Sequence, residues 1–231
     1  MIWGSIVNSL TILIGGIIGV FLGQGIGERF HTIIFQALGL FSIFLGVSLG
    51  FETNNNFLIM SLALISGGLI GEALRIEAKV EVLSDKLKRK LNNANPKFTE
   101  GLITATMLFS IGSMAILGPI NEALKGDRTL VLTKSIMDGV SAIALASAFG
   151  RGVIYSCIPV LLIQGCIGLS ASVIAPVLSP ALISEITAVG GILIVGIGIS
   201  ILEIKKIRVI NLIPSLLMII PLYYLQLYIN G

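Results

Sequence analysis

Seven stretches of this chain, 17 to 33 residues long, contain no acidic or basic residue: 1–27, 32–51, 53–71, 101–121, 152–184, 186–202 and 209–231. An eighth, 129–150, is interrupted only by Lys134 and Asp138. About 20 apolar residues of helix cross the roughly 30 Å hydrocarbon core of a bilayer. Backbone polar groups in lipid must find partners within the segment, so runs of this kind are read as helices rather than strands. Alternating ten-residue segments, the mark of a membrane barrel, do not occur. Hydrophobic residues make up 55% of the chain and charged ones 12%, against about 25% charged in a soluble domain. The expected fold class is an all-α polytopic membrane protein with about eight transmembrane helices, one of them short and charged. Its first partner is the lipid bilayer.

The first run is too long and glycine-rich for a signal peptide, lacks a basic leading region, and is read as a retained span. Cys157 and Cys166 fall nine residues apart on one expected helix, too far along its axis to pair. One histidine, His31, and no Cys/His cluster leave no metal site in view. No cofactor or nucleic-acid partner is indicated.

If eight spans alternate sides, twelve basic residues fall on one side and only Lys125, Arg128 and Lys134 on the other. Basic loops stay in the cytoplasm, which places both termini outside. The long cytoplasmic connection, 74–98, repeats Ile76, Val80, Leu83, Leu87 and Leu91 at helical spacing, with a net charge of +4. It reads as an amphipathic helix that continues span three and ends near "NNANP". An anionic leaflet, the bundle or a second subunit would each suit its apolar stripe.

"LTILIGGIIGVFLG" of span one aligns with "PVLLIQGCIGLSAS" of span six, and "ALGLFSIFLGVSLGFE" with "AVGGILIVGIGISILE". Five crossings separate the copies, so they would be inverted, a plan common among transporters. The expected organisation is one membrane domain over 1–231. Spans one to three (1–73) form a first repeat, and 74–98 the cytoplasmic helix. Spans four and five (99–150) carry a charged segment at 118–138, and spans six to eight (152–231) form the second repeat. Gly15, Gly19, Gly23, Gly67, Gly71 and Gly112 are candidates for close helix packing. The glycine strips could also serve a homo-oligomer.

The segment 118–138 holds three acids and three bases. Gly118-Pro119 is expected to end span four. A short helix, stopped by Gly126, would follow. Lys134 and Asp138 share a helix face and lie too close to Arg151 for a full crossing, so they fall within the membrane profile. Charges there are costly and usually face a cavity or bundle interior. Three readings are open: a salt bridge locking span five to span four through Glu122, a solute or ion site, or an external loop. For the second, Asn121, Glu122, Asp127, Lys134, Ser135, Asp138 and Asn211 are the candidate residues. Asp138 would bind a cation or shuttle a proton, and Asn211, beside Pro214 and Pro221, would lie in a kinked last span.

"GGLIGEALRIE", "GSMAILGPINEALKGD", "LTKSIMDG" and "AVGGILIVGIGISILEIKKIRVINLIPSLL" resemble the bacterial YdfK/YqgA family of integral membrane proteins, over nearly the whole chain. The resemblance implies a multi-pass plasma-membrane protein and no established substrate. The matching positions include Gly67, Gly68, Gly71, Glu72, Gly112, Asn121, Glu122, Gly126, Asp127, Lys134, Ser135 and Asp138.

An enzyme is not expected. "GVSLG" at 46–50 lies in a membrane helix without the strand–turn–helix setting of a nucleophile elbow, and Ser135 and Lys134 point in different directions. The expectation is a small-solute or ion transporter or channel. The alternative is a structural or sensory membrane protein acting through its cytoplasmic helix.

Overall fold

A computed structural model describes residues 2–25, 27–53, 56–90 and 95–230. Leu91 of the apolar stripe, the first three residues of "NNANP", Asn54 and Asn55 lie outside the described residues, as does the side chain of His31. All regular structure described is helical. The helices are α1 (Trp3–Gly23), α2 (Glu28–Gly50), α3 (Phe57–Ala73), α4 (Ile76–Lys90), α5 (Phe98–Ser110), α6 (Ser113–Lys125) and α7 (Thr129–Phe149). They continue as α8 (Gly152–Tyr155), α9 (Cys157–Leu169), α10 (Ala171–Ile174), α11 (Pro180–Ile201), α12 (Val209–Leu212) and α13 (Ser215–Asn230). Six segments are long and apolar enough to cross a membrane, or up to eight if each of two bent helix pairs makes one span.

The bends have local causes. At the end of α3, Arg75 turns the chain through a left-handed conformation (φ 52°), and α4 departs at 57°. Between α5 and α6, Gly112 adopts φ 116° and ψ 153°, a region open in practice only to glycine, and the axis turns by 59°. Two expectations are corrected here. Span four breaks at Gly112 rather than at Gly118-Pro119, and Pro119 lies inside α6. Nor does Gly112 act as a packing surface, since a Cβ there would meet no atom within 4 Å. Gly126 does stop α6 as expected, in the left-handed conformation, with its N–H bonded to the Glu122 carbonyl. The last span is irregular only at its first proline: α12 ends at Leu212, α13 starts at Ser215, and Pro221 lies inside α13.

Two compact units interleave along the chain. The first comprises 1–35 and 87–178, and the second 36–86 and 179–231. In the first, α1 lies along α7. A Cβ on Gly15 would strike the Gly139 carbonyl, one on Gly19 the Ile143 carbonyl, and one on Gly23 the Ser147 carbonyl. Residue numbers rise together along this contact, so the two helices run parallel. Phe98, Phe109, Phe149 and Val153 fill the rest of this unit's core.

In the second unit α11 is the most enclosed crossing segment. Its start is well specified, with Ser179 Oγ accepting from the Leu182 N–H at 3.1 Å and Pro180 at the first helical position. It crosses α2 at two glycine pairs, Gly46 on Gly191 and Gly39 on Gly198. Gly67 and Gly71 of α3 press on Ser215 and Asn211. Both pairings are antiparallel. The glycines at 15, 19, 23, 67 and 71 are thus occupied within the chain.

Substitutions at two helical glycines should separate packing from propensity. A Cβ on Gly19 would also fall 2.8 Å from Ala146 Cβ, whereas one on Gly165 meets nothing within 4 Å. Gly19→Ala should destabilise by about 1–3 kcal/mol through overpacking. Gly165→Ala should be neutral or stabilising by up to about 1 kcal/mol. Thermal unfolding of the detergent-solubilised protein measures both.

Candidate functional site

The α1–α7 contact brings polar side chains together in the first unit. Lys134 and Asp138 stand one turn apart on α7, and Lys134 Nζ donates to both Asp138 oxygens at 2.8 Å. Each side chain is 8% exposed. Across the contact, Asn8 of α1, wholly buried, donates from Nδ2 to Asp138 Oδ2 at 3.0 Å and to Gln164 Oε1 of α9 at 3.1 Å. The carboxylate fixes the orientation of both amides: reversing Asn8 would set its oxygen against Asp138, and reversing Gln164 would set two NH₂ groups together. Asn8 Oδ1 therefore points away as an acceptor and Gln164 Nε2 as a donor. Both are buried without a hydrogen-bond partner among the described residues, as is Ser5 Oγ. Buried polar groups without a protein partner are commonly met by ordered water or a bound ion.

Glu122 forms a separate contact, and its ion contact joins span four to the start of span five through Arg128 rather than through the Lys134–Asp138 pair. Its Oε2 accepts the Gly4 N–H at 2.9 Å, one of the donors that the first turn of α1 leaves open. Its Oε1 lies 3.3 Å from Arg128 Nε, an ion contact without hydrogen-bond geometry. Glu122 thus ties α6 to the first turn of α1 and to the start of α7.

Other candidates leave the site. Asp127 is exposed, and its Oδ1 accepts the Thr129 N–H at 2.9 Å to begin α7. That backbone hydrogen bond holds its carboxyl below the usual range. Ser135 is buried but spends its hydroxyl on the Val131 carbonyl at 2.7 Å. Asn121 is half-buried and makes no side-chain hydrogen bond among the described residues. Asn211 belongs to the second unit, where its Nδ2 donates to Glu72 Oε2 at 2.7 Å and its Oδ1 accepts the Glu77 N–H at 2.8 Å. The charged segment thus contributes two residues to the polar core, Lys134 and Asp138, and neutral side chains from other spans complete it.

Those neutral partners, Asn8 and Gln164, carry no charge to mark them in the sequence. Glu185 of α11, fully buried in the second unit, is a further functional candidate that the charged stretch did not point to. It accepts from Thr53 Oγ1 and Asn56 Nδ2, each at 2.8 Å, and Gln226 Nε2 donates to Asn56 Oδ1 at 2.9 Å. The signal for Glu185 was present in the sequence: one acid bracketed by long uncharged runs.

Comparison with known proteins places the sequence in a family. The DUF554 family, described as a protein of unknown function, matches residues 3–224. The uncharacterized membrane protein YdfK of Bacillus subtilis (strain 168) is 41% identical over 220 residues, 93% of each chain. The uncharacterized protein YqgA of Escherichia coli (strain K12) is 31% identical over 227 residues, 96% of each. No solved structure matches.

The buried pair makes a two-step prediction. Asp138→Asn leaves the Lys134 ammonium buried without its counter-charge and should cost about 3–5 kcal/mol. The double variant Lys134→Met with Asp138→Leu should regain most of that loss, because well-packed apolar replacements of a buried pair are often neutral. Thermal melts of the two variants against the parent check the difference.

Proposed function

The chain belongs to the DUF554 family, and on that premise we propose that it is a membrane transporter or channel for a small solute or an ion. Its site is the polar core of Asn8, Lys134, Asp138 and Gln164. The observation that carries this reading is the buried ion pair lined by unfilled donor and acceptor atoms, in helices apolar enough to cross a membrane. Two amides packed on the pair bring polar atoms that need partners, at about 1–3 kcal/mol each if unmet, and a water-filled cavity or a solute would supply them.

Two further features suit transport. The segment at 98–125 is a broken helix, bent by 59°, and such a break is tolerated at membrane depth where it borders protein or a water-filled cavity. Spans of the first suggested repeat pack antiparallel on their counterparts in the second, α1 on α9, α2 on α11 and α3 on α13, as inverted copies would. Under this reading Asp138 contacts the solute or cation, or carries a proton, and Lys134 balances its charge. The protein resides in a bacterial plasma membrane with both termini outside. The competing reading, a structural or sensory protein, draws on Leu83, 68% exposed on the apolar stripe of α4.

Flux assays on the purified protein in liposomes test the proposal with ions and small polar solutes in turn. Asp138→Asn, confirmed folded by size-exclusion chromatography, should lower the flux at least tenfold. Asp127→Asn, at the exposed start of α7, should leave it unchanged. Equal flux from the Asp138 variant would remove that residue from the mechanism, and no flux of any solute would favour the sensory reading.

A further inference from the structure

A second polar site lies wholly within the second unit, at the bend between α3 and α4. Asn211 builds it, gripping the first turn of α4 through the Glu77 N–H and the last turn of α3 through Glu72. The cleft beside this clamp has a volume of about 530 Å³, within the roughly 300–1,000 Å³ typical of small-molecule sites. Its charged lining is Glu72, Glu77 and Glu81 against Arg75, Lys206 and Arg208.

Two acids and two bases in this lining are matched. Arg208 Nη1 meets Glu72 Oε1 at 2.9 Å, and Lys206 Nζ lies 3.7 Å from Glu81 Oε1. Arg75 stands outside these pairs, and Glu77 feels Lys206 and Arg208 across the cleft without a salt bridge to either. Arg75 makes no ion pair or side-chain hydrogen bond among the described residues, and Glu77 Oε2 is buried without a hydrogen-bond partner. A ligand that completes the cleft carries the reverse pair, an oxyanion for the guanidinium fork of Arg75 and an ammonium for Glu77.

We propose that this cleft binds a zwitterion bearing an ammonium group and an oxyanion a few bonds apart. The proposal is independent of transport and of the polar core in the first unit. Burial pushes the Glu77 carboxyl up from its ordinary value, a shift that a bound ammonium would offset. The basic-residue count assigns this end of the spans to the cytoplasmic face, where two sources offer the chemistry. One is a free α-amino acid and the other a phosphatidylethanolamine headgroup.

Calorimetric titration of the full chain in detergent with neutral α-amino acids tests the first source. Methylamine and acetate serve as single-charge controls. Native mass spectrometry with phosphatidylethanolamine, against phosphatidylglycerol, tests the second. Binding of a zwitterion from either source, at least tenfold tighter than its single-charge analogue, is the expected result. Arg75→Gln and Glu77→Gln should each weaken it at least tenfold while melting like the parent, since Arg75 is exposed, Glu77 is only half-buried, and neither side chain makes a hydrogen bond among the described residues. Binding of neither zwitterion, equal binding of acetate or phosphatidylglycerol, or binding indifferent to both substitutions would overturn the proposal.

Discussion

The first unit depends on the backbone contact between α1 and α7. Glycines at 15, 19 and 23 remove the side chains that would hold the helices apart, and carbonyls of Gly139, Ile143 and Ser147 occupy the space. In lipid there is little hydrophobic force between helices, so close van der Waals contact of this kind has to supply the association. The same contact sets the register of everything N-terminal to it. With Gly15 seated on Gly139, Asn8 is carried to Asp138 and Gly4 to Glu122, so the polar core follows from the glycine spacing.

A polar core held in this way is balanced in charge but incomplete in hydrogen bonds. Lys134 and Asp138 cancel, which keeps the desolvation cost within reach of the local contacts. The amides behind them do not close on each other, because one Asn8 NH₂ serves both Asp138 and Gln164 and leaves an acceptor and a donor over. Glu122 follows another pattern. It satisfies a helix N-terminus through one oxygen and lies against Arg128, half-exposed at the start of α7, through the other, so it joins three elements. Two carboxylates from one charged stretch therefore do different work.

Much of this was readable in the residues themselves. Uncharged run lengths gave the helices, the four-residue glycine spacing gave a packing face, and the shared face of Lys134 and Asp138 gave their pairing. The rest was hidden for physical reasons. Proline's bias against helix at the preceding residue pointed to a break at Gly118, but Gly112 could take a positive φ and broke the span first, leaving Pro119 inside α6. Asn8 and Gln164 carry no charge and meet only through tertiary packing across 156 residues, so no local pattern announces them. Asn211 sits just before the irregular turn at Pro214, yet its partners come from the α3–α4 bend. Sequence spacing could not supply that pairing, which only the fold of the second unit decides.

The two ionic sites differ in what their ion pairs can do. Lys134 and Asp138 are enclosed, so parting them strands a charge at low dielectric and costs several kcal/mol. Their geometry is therefore fixed unless something takes the place of one partner. Arg208 and Glu72 are 64% and 56% exposed along their side chains, where an ion pair contributes about 0–1 kcal/mol and water readily substitutes for either member. Such pairs shape the cleft without committing it, and its charges are free to re-pair around a ligand. The Asn211 clamp supplies the rigidity that those exposed pairs lack. It is nearly buried, it is pressed by Gly71, and it bonds both arms of the bend at 2.8 Å or less. The second unit thus combines a fixed scaffold with adaptable charges, whereas the first holds fixed charges beside unfilled hydrogen-bonding atoms.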